Sequence, residues 1–150
     1  YAHDMEGFNC RLDGLQAAIL SVKLRHLEDW TEARRAHARR YRKKLDGVPG
    51  IELIHERSEA RAVYHLLVLR SAHRDALQSA LSALGIATGI HYPIPLHRQK
   101  AYAHLGLPEG SFPVAERHSR DVLSLPLFPE MSTAQVDAVA EAVTRIVSAD

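Results

Sequence analysis

From Leu15 to Leu45 the chain contains neither proline nor glycine, and Gly47 with Pro49 closes the run. An uninterrupted stretch bounded in this way predicts one long helix. Asp13 followed three residues later by Gln16 reads as its capping box, the carboxylate on exposed amides and the Gln side chain reaching back. At 1.5 Å per residue, about 32 residues make a rod of roughly 48 Å, more than one small domain needs. The helix, residues 13–46, is therefore expected to cross between two bodies of protein.

Its two halves differ. Between Leu15 and Leu27 apolar residues nearly encircle the helix, among them Leu15, Ile19, Leu20, Val22, Leu24 and Leu27. A helix that is apolar all round is a buried one, and residues 1–12 are too few to bury it. From Thr31 onward only the stripe Ala38, Tyr41 and Leu45 remains, set among Arg34, Arg35, Arg39, Arg40, Arg42, Lys43 and Lys44. Glu28, Asp29 and Glu32 break up that positive run, so it reads as a solvated face.

The remainder, residues 47–150, reads as a small domain. Strands are expected at 51–54, 62–70 and 86–90. Helices are expected from Ser71 or His73 to Leu84, at 99–105, at 113–122 with Pro113 in the first turn, and after a Ser132 or Thr133 cap. Residues 124–129 read as extended. This order suggests an α+β layer, a small and mostly antiparallel sheet with helices on one face.

A net charge of +1 argues against a dedicated nucleic-acid binder or a membrane-surface protein. No apolar run of about 18 residues offers a membrane span. The single cysteine, Cys10, excludes an internal disulfide framework and suits a reducing cytoplasm. The chain begins with Tyr1 and carries no signal sequence, so a piece of a longer polypeptide is expected, with residues 1–12 ending a preceding domain.

Ten histidines raise the question of a metal. His91 and His97 flank Tyr92-Pro93-Ile94-Pro95-Leu96, which is no zinc spacing, and no cysteine accompanies them, so no metal site is expected. There is no Gly-x-Ser-x-Gly elbow and no glycine-rich phosphate loop. The segment from Gly85 to Gln99 is more informative. An apolar stretch runs into a turn held by Pro93 and Pro95 that presents His91, Tyr92, His97 and Arg98. Prolines pre-set the backbone, so polar groups there have little entropy left to lose on binding. His65, mid-strand, reads as a packed histidine, and Cys10 as a space-filling one.

Gly7-Phe8-Asn9-Cys10-Arg11-Leu12-Asp13-Gly14-Leu15-Gln16-Ala17-Ala18 resembles a segment of the DegT/DnrJ/StrS sugar aminotransferases. So do Gly85-Ile86-Ala87-Thr88 through His91-Tyr92-Pro93-Ile94-Pro95-Leu96-His97, Gln99 with Ala101-Tyr102, Pro113 with Ala115-Glu116, and Leu123-Ser124-Leu125-Pro126. These matches stand in the family's order across nearly the whole chain. The resemblance implies the interdomain helix and C-terminal domain of a fold-type I enzyme that uses pyridoxal 5′-phosphate (PLP). It further implies a homodimer that moves an amino group from glutamate to a nucleotide-linked keto-sugar.

Residue by residue, Asn9 matches an asparagine that reaches the partner's cofactor phosphate. Arg11 matches an arginine that supports phosphate or a substrate anion, or else forms a structural ion pair at the helix start. Tyr92 and His97 resemble substrate-side residues. His91 matches too, although adjacent side chains on an extended segment face opposite ways. The family's cofactor-bearing lysine belongs to the preceding domain, and Lys23, Lys43, Lys44 and Lys100 are poor substitutes for it. The chain alone is therefore expected to be inactive. Two other readings stay open: a family member that dehydrates the sugar, with histidine in place of that lysine, and a non-catalytic module that dimerises through the long helix.

Overall fold

A computed structural model describes residues 1–9 and 11–149; Cys10 lies outside the described residues. The expected single helix is two, α1 (Gly14–Leu24) and α2 (Leu27–Leu45), separated by a turn at Arg25 and His26. The break falls where packing changes. No residue of α1 is buried, whereas α2 buries Thr31, Arg35, His37, Ala38, Tyr41 and Leu45 along a stripe. That stripe aligns α2 with the core, and no buried contact holds α1 on the same axis. The capping box expected at Asp13 is also not formed, since its side chain makes no cap bond.

The basic half of α2 is more engaged than a solvated face. Arg40 grips Asp137 with two hydrogen bonds, and Lys44 reaches both Asp137 and Glu141. Arg35 is buried beside Glu32 and donates to the Ala62 carbonyl at 2.8 Å. Arg42 donates to the Ile54 carbonyl at 2.6 Å.

The sheet has three strands, β1 (Glu52–Leu53), β2 (Leu67–Arg70) and β3 (Val122–Leu125), antiparallel in the order β1-β2-β3. Leu67 stands opposite Leu125 and Leu69 opposite Leu123. Strand alternation places these four leucines on one face, in a core shared with Tyr41 of α2, Leu77 and Leu81 of α3 (Arg74–Ala83), and Val136 and Val143 of α5 (Thr133–Val147). The α+β layer with helices on one face is thus the architecture found. A reciprocal capping box, Ser132 with Gln135, starts α5.

The strands differ from expectation in extent. Residues 62–66 are irregular because Glu56 competes for them, its carboxylate accepting from the Ala62 amide and the Tyr64 hydroxyl. Tyr64 sits at φ 49°, which ends the extended run, and His65 is exposed rather than packed. The segment 86–90 forms only a bridge, Gly89 to Ser124, with reciprocal backbone bonds of 3.0 and 2.7 Å. The third strand is instead Val122–Leu125, which follows α4 (Pro113–Asp121) with no linker. All four of its residues are buried. Leu123 and Leu125 face the helices, so Val122 and Ser124 face the other way, and the candidate site is built there.

Candidate functional site

The Gly89–Ser124 bridge sets the chain that follows it against β3. His91 Nδ1 lies 2.9 Å from Ser124 Oγ. Gly89 is required for this approach, because a Cβ there would stand 2.6 Å from His91 Cε1. The Tyr92 ring packs edge-on to that of His91, with centroids 5.5 Å apart. Both side chains line one cavity of about 710 Å³. The segment bends instead of running extended, so the opposite-face argument against His91 does not apply.

The cavity has the size of a small-molecule site, with apolar walls among which histidines, tyrosines and Gln99 present polar groups. Ile94, Pro95, Leu96, Phe112 and Val122 supply the walls. His97 enters from the 3₁₀ turn Leu96–Arg98, its ring 4.9 Å from that of Phe112. Its Nε2 lies 2.9 Å from Glu116 Oε1, and both side chains are 8% exposed. Glu116, on α4, also accepts from the amides of Gly110 (2.9 Å to each oxygen) and Phe112 (3.3 Å). The Gly110 amide above all, then His97 and Phe112, hold its carboxyl below the usual range, although burial opposes them. Arg98, presented by the same turn, does not line the cavity.

Gln99 closes one end. Buried, it accepts from the His3 amide at 3.0 Å and donates to the Tyr1 carbonyl at 3.0 Å. The Ala101 amide adds a bond to the His3 carbonyl. Residues 1–3 thus form a strap along the turn, with the Tyr1 ring edge-on to Tyr92 at 5.3 Å. Gln99, Glu116 and Ser124 were visible in the sequence only as positions matching a pattern. Gln99 and Glu116 adjoin charged residues and Ser124 is a lone hydroxyl in an apolar run, and contacts distant along the chain make each a site residue.

This architecture matches known proteins. The model of the DegT/DnrJ/EryC1/StrS aminotransferase family covers residues 1–144. The chain belongs to that family. It is 51% identical over 139 residues to the erythromycin biosynthesis sensory transduction protein EryC1 of Saccharopolyspora erythraea, with 93% of this chain and 38% of that protein covered. It is 44% identical to the dTDP-3-amino-3,4,6-trideoxy-alpha-D-glucose transaminase of Streptomyces venezuelae, covering 97% of this chain and 40% of the relative. The crystal structure of S. venezuelae DesV in complex with a ketimine intermediate superposes with a TM-score of 0.87 at 44% identity, over 97% of this chain and 39% of that one. The chain therefore spans about two-fifths of the length of the relatives it matches.

A family of aminotransferases implies PLP, and the residues of this chain can be tested against it. Asn9 and Arg11 are exposed and lie outside the cavity. Among the described residues neither side chain forms a hydrogen bond or ion pair within the chain, which leaves an amide and a guanidinium fork free. That donor set fits a phosphate. Among the described residues no lysine lines the cavity: Lys23 lies over the Trp30 ring, Lys44 pairs with Asp137 and Glu141, Lys100 pairs with Asp4, and Lys43 is exposed on α2. Among the described residues no cluster of three or more His, Cys, Asp and Glu side chains is placed to hold a metal ion, and no helix is long and apolar enough to cross a membrane.

Proposed function

We propose that this chain is the C-terminal portion of a PLP-dependent aminotransferase acting on a nucleotide-linked keto-sugar. Glutamate is the amino donor, and the working enzyme is a cytoplasmic homodimer. The observation that carries the reading is the cavity behind β3, where His91, Tyr92 and His97 converge on apolar walls in a member of a family of aminotransferases. Tyr92 and His97 contact the sugar, and His91, steadied by Ser124, shapes the floor beneath it. Asn9 and Arg11 would hold the cofactor phosphate, across the dimer in the case of Asn9. When bound, PLP supplies an electron sink for the transfer. With no lysine at the cavity, this chain alone provides binding groups and no anchor for the cofactor, and it is expected to be inactive.

The test is a visible absorbance spectrum of the protein expressed from its complete reading frame with PLP added, followed by an amino-transfer assay with glutamate and nucleotide-linked keto-sugars. A cofactor band lost on borohydride treatment, together with transfer, supports the reading. A well-folded protein without that band refutes it and leaves the histidine-type dehydratase.

One observation favours a second reading. The apolar face of α1, including Leu15, Ile19, Val22 and Leu24, is exposed, as a module that dimerises through this helix would require. A protein of full reading frame that dimerises and binds neither PLP nor nucleotide-linked sugar would establish it.

A further inference from the structure

We propose that Glu116 is a positioning residue that sets which nitrogen of His97 carries the proton, and so makes Nδ1 an acceptor for a hydroxyl of the nucleotide-linked sugar. The inference rests on the reading of the cavity as the sugar site. Glu116 does not line the cavity, whereas His97 does. The Glu116 carboxylate is nine-tenths buried, and the Gly110 and Phe112 amides fix its orientation. Those same donors keep it ionised, and an ionised carboxylate only accepts hydrogen bonds. The His97 Nε2 beside it at 2.9 Å must therefore carry a proton. In the neutral ring this leaves Nδ1 bare. Among the described residues Nδ1 has no partner, and the Phe112 ring at 4.9 Å limits how the imidazole can turn. A sugar presents hydroxyl donors, and an acceptor held in one place selects a hydroxyl at one position over a deoxygenated carbon.

The discriminating variant is Glu116→Ala in the full-length enzyme, because it removes Oε1, the oxygen that accepts from His97 Nε2 and from the Gly110 and Phe112 amides. Without that acceptor nothing fixes the tautomer, and Nδ1 no longer stays bare. The expected result is a KM for the nucleotide-linked sugar raised about tenfold, the effect of one lost hydrogen bond, with kcat little changed. Combining Glu116→Ala with His97→Ala should cost no more than His97→Ala alone. Wild-type KM in Glu116→Ala, or additive losses in the double variant, would show that Glu116 merely pins the loop and would overturn the proposal. A second readout needs no activity: 15N NMR of histidine-labelled full-length protein should show His97 protonated on Nε2 in the wild type and a mixture of tautomers in Glu116→Ala. A wild-type His97 protonated on Nδ1, alone or together with Nε2, overturns the proposal even where amino transfer is established. Absence of transfer with the expected ring states refutes the sugar-aminotransferase reading and leaves the assignment of Glu116 to His97 standing.

Discussion

Gly89→Ala tests how the site is assembled, because its cost should depend entirely on the ring beside it. Gly89 has no left-handed backbone angle, so alanine brings no backbone strain, and the three atoms nearest its Cβ all belong to the His91 ring, at 2.6, 3.3 and 3.5 Å. A contact of 2.6 Å cannot persist. The ring is the mobile end of a side chain and can swing away, but doing so breaks the 2.9 Å bond to Ser124. Ser124 is 4% exposed, so its hydroxyl is left without water to replace the lost partner. A buried hydroxyl stripped of its partner costs about 1–3 kcal/mol. Against this stands a gain of about 0.4–1 kcal/mol from the stiffer unfolded chain. The assay is urea denaturation of Gly89→Ala in wild-type and His91→Ala backgrounds. With the ring present, alanine should destabilise by about 1.3 kcal/mol, the difference of the mid-values of those two ranges. With the ring removed it should be neutral or slightly stabilising. Equal destabilisation in both backgrounds would refute the reasoning, since the cost would then have nothing to do with His91.

Gln99→Ala removes both bonds to the backbone of Tyr1 and His3, so amide exchange at residues 1–4 should accelerate while that of β2 and β3 is unchanged. Asp137 is held down to about 2, chiefly by its hydrogen bonds from Arg40, against an ordinary 3.8. A folded-state value below the unfolded one stabilises above the unfolded value and is lost as pH falls through the folded one. The stability deficit of Asp137→Asn, read from urea midpoints, should therefore be full at pH 6 and shrink between about pH 4 and pH 2. Leu123→Ala deletes a fully buried side chain from the middle of the core, and its urea midpoint should report a loss of about 2–5 kcal/mol.

Much of the fold was legible because it rests on local patterns. The stripe Ala38, Tyr41 and Leu45 was readable from spacing alone, and all three are buried. The Ser132 cap and the helix after it were readable from cap chemistry and apolar periodicity. What was not legible depends on partners distant in sequence. The break at Arg25 and His26 contains no breaking residue; it marks where burial begins. Residues 62–66 have strand composition, but Glu56 takes the Ala62 amide and Tyr64 turns to a positive φ, which ends the extended run. The third strand was hidden because a helix runs directly into it at Val122. In the candidate site, the rigid turn with His91, Tyr92 and His97 could be read from its prolines. Glu116 could not, because its meaning lies in a contact 19 residues away.

The position of β3 explains why fold and site are hard to separate in this chain. One face of the strand gives Leu123 and Leu125 to the core, and the other gives Val122 and Ser124 to the cavity side. A shift of register by one residue would exchange these faces, placing Ser124 in the core and a leucine against His91. The pairing of Leu67 with Leu125 and Leu69 with Leu123 excludes that shift, since it would expose apolar side chains and bury an unpartnered hydroxyl. The energy that selects the register of the sheet is therefore the same energy that sets the position of His91. The site needs no separate device to locate its floor, and the polar contacts that are particular to it, Gln99 with the strap and Glu116 with His97, are concentrated on the turn facing that strand.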